Sequence, residues 1–524
     1  MSRVLWLDTE TFNGQTDISA GAYEYARTAE LLLVPFAIDD GPVKLWEPAL
    51  GGPAPDDLQD AIADPAVTIV AHNAGFDRLI VTNTFDDFMW VPTHATQPER
   101  WRCTMAQAFA HGFPGSLDQL GAIFGLSPDK AKIKEGKKLI RRFCVPAPSN
   151  HKADRYDHRS HPEEWARFVE YARRDIGAMR EVAGFLPNWN YRAGELALWH
   201  LDQRINDYGF AVDRDLAAAG AAARERESLR FGEECLALTD GEISSPGQRG
   251  ALREYLNNNF GLELENTRAE TLQELVLMRG DHLPERAARL IYIMRAANKT
   301  STAKYARLLE ATSPAGRFRG GLQFAGAQRT RRWAGRIFQT QNLPSRGLPD
   351  QHVIDQYREA VLIGIDDMLY DDAMLLASAA IRGVVIAPKG RKLVVADLSN
   401  IEGRALAWLA GETWKLDAFA AFDRGKGPDL YNVTAGQLLG KSPYDIAKGE
   451  RNAIGKVPEL ALGYQGGVGA LRVMAKSYGV RFVDMREALL ATMGDFVAGA
   501  EANWRDWGST RPGANMIGSE EWIA

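Results

Sequence analysis

Short apolar runs separated by polar turns alternate with longer helical patterns over the first 190 residues. Val4-Leu-Trp-Leu7 has the look of a buried strand and runs straight into Asp8-Thr-Glu10. Val67-Thr-Ile-Val-Ala71 is a second apolar strand, followed by a turn at His72-Asn73 and a helical pattern from Ala74. From Pro162 to Leu186 apolar positions recur at helical spacing, and Pro162 suits a first helical turn. This alternation predicts an α/β domain with a boundary near Asn188-Trp-Asn-Tyr-Arg192.

From about 195 to 312 the pattern turns helical. One helix ends near Gly209, a second covers Asp213 to Phe231, and a third is expected unbroken from Ala288 to Ala311. Gly316 to Gly347 is rich in Gly and Arg and predicts strands and loops. Arg391-Lys-Leu-Val-Val-Ala-Asp-Leu-Ser399 predicts a buried strand, with a helix from about Ile401 to Leu409. The remainder predicts mostly helix, and there is no internal repeat.

The composition narrows the class. Hydrophobic residues make up 45% of the 524 positions and charged residues 25%, which is globular. No apolar run approaches the ~20 residues of a membrane span. Met1-Ser-Arg3 precedes an apolar strand without a secretory pattern, so a soluble, cytoplasmic protein is expected. Cys103, Cys144 and Cys235 lack any zinc or disulfide spacing and are expected reduced. The net charge of -6 excludes a uniformly basic nucleic-acid coat but not an enzyme that gathers carboxylates around metals. The sharpest basic cluster is Arg329, Arg331, Arg332 and Arg336, and taken alone it reads as a solvated face.

Asp8 and Glu10 are two apart, so strand periodicity puts both side chains on one face. Paired carboxylates repel unless a cation lies between them. Further along, Asn73-Ala-Gly-Phe-Asp77 opens a helix. Tyr171-Ala-Arg-Arg-Asp175 places a phenol and a carboxylate one helical turn apart. Each fragment has a bland explanation, as a surface acid, a helix-terminal acid or a core aromatic. Their order and their elements together resemble the DEDDy 3′→5′ exonucleases, the proofreading domain type of DNA polymerases. The resemblance implies a ribonuclease H-like mixed sheet with flanking helices. It makes Asp8, Glu10, Asp77 and Asp175 the metal-binding acids and Tyr171 the residue that orients the attacking water. Asn73 would support the turn or the substrate. Oxygen ligands suit Mg²⁺ or Mn²⁺, in a two-metal site.

Ala396-Asp-Leu-Ser-Asn-Ile-Glu-Gly-Arg404 resembles motif A of the family A, DNA polymerase I-like, enzymes. That resemblance makes Asp397 the catalytic metal-binding aspartate, gives the Leu398 carbonyl a place at the nucleotide-side metal, and sets Glu402 beneath the incoming sugar. Leu398 and Gly403 depart from the family's larger residues. Arg336-Ile-Phe-Gln-Thr-Gln-Asn-Leu-Pro344 resembles the segment before motif A. Arg336 would reach the primer-end minor groove, with Gln341 and Asn342 near the template-primer. Lys299, Thr300, Ser301 and Tyr305 would lie where the family's thumb holds the duplex backbone, and Lys304 beside them is a further candidate for phosphate contact. Arg451, Lys456, Leu460 and Tyr464 resemble motif B, the fingers helix. Lys456 would contact the triphosphate and Tyr464 the nascent pair, with Arg451 also near the nucleotide. Asn452, Leu460 and Pro458 depart from the usual pattern and point to the phage branch.

The resemblance divides the chain into an exonuclease domain over 1–190, a thumb-like helical region over 191–325, a partial α+β palm over 326–420 and a fingers region over 421–524. Motif C, the family's His-Asp-bearing hairpin, is not recognisable: the last histidine is His352. The expectation is therefore a replicative phage polymerase acting on primer-template DNA, single-stranded 3′ ends and dNTPs in the host cytoplasm. Proofreading would be complete, and synthesis would need a motif C-bearing polypeptide or segment. The competing expectation is a stand-alone exonuclease with a polymerase remnant that binds DNA.

Overall fold

The computed structural model describes residues 3–126, 135–151, 153–279, 282–327, 330–345, 348–463, 466–478, 480–510 and 518–523. They form two compact units, 1–393 and 394–524.

The first unit begins with a mixed sheet. β1 (Val4–Leu7), β2 (Glu10–Phe12), β3 (Glu30–Ile38), β4 (Lys44–Trp46), β5 (Thr68–Ala71) and β6 (Trp101–Cys103) run in the order β2-β3-β1-β5-β6, and β4 pairs with β3. β1 lies parallel to β5, with Leu5 opposite Ile69, and antiparallel to β3, with Leu7 opposite Phe36. Flanked on both sides, β1 is central, and Leu5 and Leu7 are fully buried.

Three helices matter for the site: α1 (Ala74–Thr84), α2 (Gly136–Phe143) and α3 (Pro162–Phe185). α3 starts on Pro162, which has no amide hydrogen to leave unsatisfied. Its buried stripe includes Phe168, Tyr171, Ala172, Asp175, Ile176 and Met179, spaced by three and four. Phe168, Tyr171 and Ala172 pack with Leu32 and Leu33 of β3 and with Leu139 and Phe143 of α2.

The same unit continues into helices Gly194–Tyr208, Arg214–Leu238, Arg249–Phe260 and Ala269–Arg279. The third helix expected from the pattern divides into Glu285–Ala297 and Lys304–Glu310. Asn298-Lys-Thr-Ser-Thr302 causes the break, because these short polar side chains compete for the backbone: Asn298 Nδ2 donates to the Met294 carbonyl and Thr302 Oγ1 to that of Lys299. As expected, Gly316 to Gly347 carries short strands: Arg317–Phe318, Leu322–Gln323 and Ala334–Gly335.

Among the described residues the second unit is helical throughout. Helix Ile401–Ala410 forms where the pattern placed it. The strand before it does not. Among the described residues, 391–398 pair with no strand, and Val394 and Val395 are 82% and 90% exposed. A strand is held by its neighbours' hydrogen bonds, and apolar character alone supplies none. Among the described residues no helix is long and apolar enough to cross a membrane.

Candidate metal and nucleic-acid site

β1 ends at Leu7, and the chain steps through Asp8 and Thr9 before pairing resumes at Glu10. The Asp8 amide donates to the Pro35 carbonyl at 3.2 Å. The β2–β3 register shifts between Glu10 and Thr11. Asp8 and Glu10 therefore do not share one continuous strand, as simple alternation implies. The irregularity re-aims the side chains, a use of bulges that recurs next to active sites, and both carboxylates still reach one place.

Asp175 completes that place from α3. One carboxylate oxygen each from Asp8, Glu10 and Asp175 lies within 4.8 Å of the others. Glu10 and Asp175 are buried and Asp8 is half-buried. Three such carboxylates in low dielectric repel strongly. An all-oxygen donor set that close suits a hard divalent cation, so the residues fit the metal that the sequence implied.

Asp77 stands beside this trio rather than within it. It lies in the first turn of α1, where its Oδ1 accepts from Thr9 Oγ1 at 2.8 Å. Burial holds its pKa well above the ordinary carboxylate range, and the Asp8 charge adds to the rise. Asn73, before α1, adopts a left-handed backbone with φ 69° that Asn tolerates better than most residues. Its position lets the chain leave β5 and turn Asp77 back toward Asp8.

Tyr171 is 1% exposed and hydrogen-bonded to Asp175. Burial, then the charges of Asp175 and Glu10, push its phenol far above the usual range. It therefore stays protonated and can act only as a hydrogen-bond donor or acceptor, not as a base. A feature that the sequence did not flag sets its position. A Cβ on Gly136 would stand 2.3 Å from the Tyr171 ring, so α2 rests directly on the tyrosine and tolerates no side chain there. Thr9 and Cys144 were missed too. Cys144 Sγ lies 3.8 Å from Glu10 Oε2, and the carboxylate accepts its weak bond. No motif marks Gly136 or Cys144, and Thr9 stands inside Asp8-Thr-Glu10 without a role assigned to it. Only their packing against the motif residues identifies them.

Beside the carboxylates opens a cleft of about 740 Å³ lined by Glu10, Asn73, Phe76, Ile140 and Cys144 among others. Asn73 and Phe76 also line a second crevice of about 270 Å³, which reaches Trp199, Gln203 and Arg336. The next residue, Ile337, holds φ at 57°, a strained conformation for a β-branched side chain, and packs against Gly21.

The remaining expected residues sit as follows. Lys299 is half-buried, which lowers its pKa. Lys304 Nζ donates to the Phe338 carbonyl at 2.8 Å, which engages it in the fold. Tyr305 is fully buried, with its hydroxyl on the Ala377 carbonyl at 2.7 Å. That corrects its expected place at a duplex-binding surface: the ring belongs to the core. Gln341 and Asn342 share a 3-10 turn, where Asn342 Nδ2 donates to Gln339 Oε1.

In the second unit, Asp397 and Leu398 lie in the exposed segment. Glu402 lies in the first turn of Ile401–Ala410 and lines a small cavity with Glu459 and Leu460. A Cβ on Gly403 would meet the end of the Asn400 side chain at 2.6 Å, so a larger residue there requires that amide to move. Arg451 to Lys456 form a π-helical turn, and Pro458 falls in the first turn of Val457–Leu462. The wide turn thus resolves the conflict of a proline within an expected helix. Gly455 approaches the Tyr431 carbonyl, where a Cβ would stand 2.1 Å away. Lys456 Nζ lies 4.7 Å from the Tyr478 ring centroid and 5.7 Å from that of Tyr431. Arg451 pairs with Asp429 at 2.9 Å. Tyr464 and Arg329 fall outside the described residues.

No family model matches the chain. A solved structure with a similar fold is the POL domain of Pol1 from M. smegmatis in complex with DNA primer-template and dNTP. The two align with a TM-score of 0.56 and 16% identity, over 97% of this chain and 76% of the other. At the sequence level the chain is 34% identical over 475 residues to a DNA polymerase of Bacillus phage SP02, covering 90% of this chain and 70% of the relative. That identity, held over most of both proteins, shows that the chain belongs to the bacteriophage DNA polymerases, which are DNA-directed DNA polymerases.

Proposed function

We propose that residues 1–190 are a 3′→5′ exonuclease domain that proofreads for a family A phage DNA polymerase. The observation that carries this reading is the set of three carboxylate oxygens, from Asp8, Glu10 and Asp175, within 4.8 Å of one another beside a cleft. Asp8, Glu10, Asp77 and Asp175 would hold two divalent cations, Mg²⁺ or Mn²⁺. When bound, these supply Lewis acidity to the scissile phosphodiester and to its attacking water.

The protein's own groups do the rest. Tyr171, fixed between Gly136 and Asp175, presents a phenol that stays protonated and orients water by hydrogen bonding. The buried site raises the proton affinity of Asp77, so an empty site can hold a proton that metal entry displaces. Asn73 and Phe76 form the wall along which the terminal nucleotide enters.

In the polymerase part we propose a thumb-like region over 191–325, palm residues over 326–420 and fingers over 421–524. Asp397 and the Leu398 carbonyl serve the synthetic metals there. Arg336, Gln341, Asn342 and Lys299 serve the primer-template, and Glu402, Arg451, Lys456 and Tyr464 the dNTP. Synthesis needs a further palm carboxylate beside Asp397, from more chain or another polypeptide. The exposure of residues 393–398 favours a second reading, in which these 524 residues shorten DNA and use the polymerase part to bind it.

One assay tests both. A labelled primer-template, matched or with a frayed 3′ end, is incubated with Mg²⁺, with and without dNTPs. Shortening that disappears in Asp8→Ala supports the exonuclease, and no shortening of single-stranded 3′ ends overturns it. Extension by the 524-residue chain removes the requirement for a further carboxylate.

A further inference from the structure

The cleft beside the carboxylates poses an electrostatic problem. Among the described residues its charged lining is Glu10 and Asp17, both anionic, with no cation among them. A DNA strand is itself a polyanion, so its phosphates need positive partners at the rim.

α2 supplies them. Its apolar face, Gly136, Leu139 and Phe143, is buried against the cluster containing Tyr171. Lys137, Ile140, Arg141 and Cys144 follow the spacing i, i+3, i+4, i+7, which puts them on one strip of the helix and its cap. Ile140 and Cys144 line the cleft. Lys137 and Arg141 flank them and are exposed. The neighbouring Arg142 is occupied, 3.3 Å from Glu164 and over the Tyr156 ring. Among the described residues Lys137 and Arg141 make no ion pair.

We propose that Lys137 and Arg141 grip the phosphates of the single strand just upstream of its 3′-terminal nucleotide, making α2 a strand clamp over the exonuclease cleft. This rests on the exonuclease reading and adds the residues that bind its substrate. Because Gly136 of the same helix touches Tyr171, the helix that holds the strand also holds the tyrosine, so strand and tyrosine keep one register.

The test compares the wild-type chain with the double variant Lys137→Ala/Arg141→Ala on two substrates. A labelled single-stranded oligonucleotide has upstream phosphates, and the p-nitrophenyl ester of thymidine 5′-monophosphate has none. On the oligonucleotide KM should rise about tenfold, and the slope of log KM against log[KCl] should fall by about 1.4, two single-strand phosphate contacts. Hydrolysis of the nitrophenyl ester should not change. Lys137→Arg/Arg141→Lys should restore KM. Wild-type shortening with an unchanged KM and salt slope in the double variant overturns the clamp but leaves the exonuclease standing. Equal loss on both substrates also overturns it, since the residues would then act through the fold. If the wild type shortens DNA no more than Asp8→Ala does, the exonuclease reading fails and takes the clamp with it.

Discussion

Two aspartates follow apolar runs of the same length, Asp8 after Val4–Leu7 and Asp397 after Leu393-Val-Val-Ala396, and they end in opposite surroundings. Leu7 is fully buried, whereas Val395 is 90% exposed. Nothing in the two runs separates them. The difference lies in their partners: β1 has a neighbour on each side, and 393–396 has none among the described residues. A carboxylate can be held near other carboxylates only by a backbone that is itself held. Asp8 meets that condition within residues 1–190.

The largest effect that tests this contrast is on activity. Asp8→Ala should lower 3′ shortening of a single-stranded primer about a thousandfold, as expected for loss of several kcal/mol of metal-borne stabilisation. Asp397→Ala should leave shortening unchanged. If both variants lose it equally, the two aspartates do not serve separate sites.

Stability gives the next contrast. Leu7→Ala removes a core side chain and should cost about 2–5 kcal/mol in urea unfolding. Val395→Ala should stay within about 0.5 kcal/mol. A large loss at Val395 would mean that the segment is paired in solution.

A smaller effect isolates the tyrosine. Tyr171→Phe deletes one hydroxyl from a ring that remains packed under Gly136, so kcat should fall about tenfold with KM unchanged. Metal titration should give the wild-type midpoint. A change in KM alone would assign the phenol to substrate binding rather than water orientation.

These contrasts also show what a sequence can hold. The sheet, α1 and α3 were legible because buried residues recur with the period of their element, and Asp77, Tyr171 and Asp175 sit at fixed places in those periods. The trio of Asp8, Glu10 and Asp175 was legible as a group, though the gap at Asp8-Thr9 and the register shift between Glu10 and Thr11 were not, since alternation carries no sign of either. Gly136 was invisible: its importance is a contact with a ring 35 residues away in the chain, and a lone glycine does not name its neighbour. The strand at 393–396 failed for the complementary reason, because hydrophobicity reports the capacity to be buried and not the presence of a partner. Tyr305 looked like a duplex contact by its place in the thumb-like region, yet its ring is buried in the core and its hydroxyl donates to the Ala377 carbonyl.

The smallest effect concerns Asp77, whose proton affinity burial and then Asp8 raise well above its ordinary value. For an acid raised on folding, the native state binds the proton more tightly than the unfolded chain does. The resulting stability is fully present below the unfolded pKa, about 3.9, and is lost as pH rises from there through the folded value. Asp77→Asn keeps an oxygen to accept the Thr9 bond and cannot ionise. Without divalent metal, its Tm should therefore fall less than the wild type's as pH rises above about 4, by a few degrees. Saturating Mg²⁺ should narrow the gap by raising the wild-type Tm more, since a ligand that binds only the folded state stabilises it by mass action. Parallel Tm curves for the two proteins, with and without Mg²⁺, would place Asp77 outside the electrostatics of the trio and leave Thr9 as its only link to Asp8.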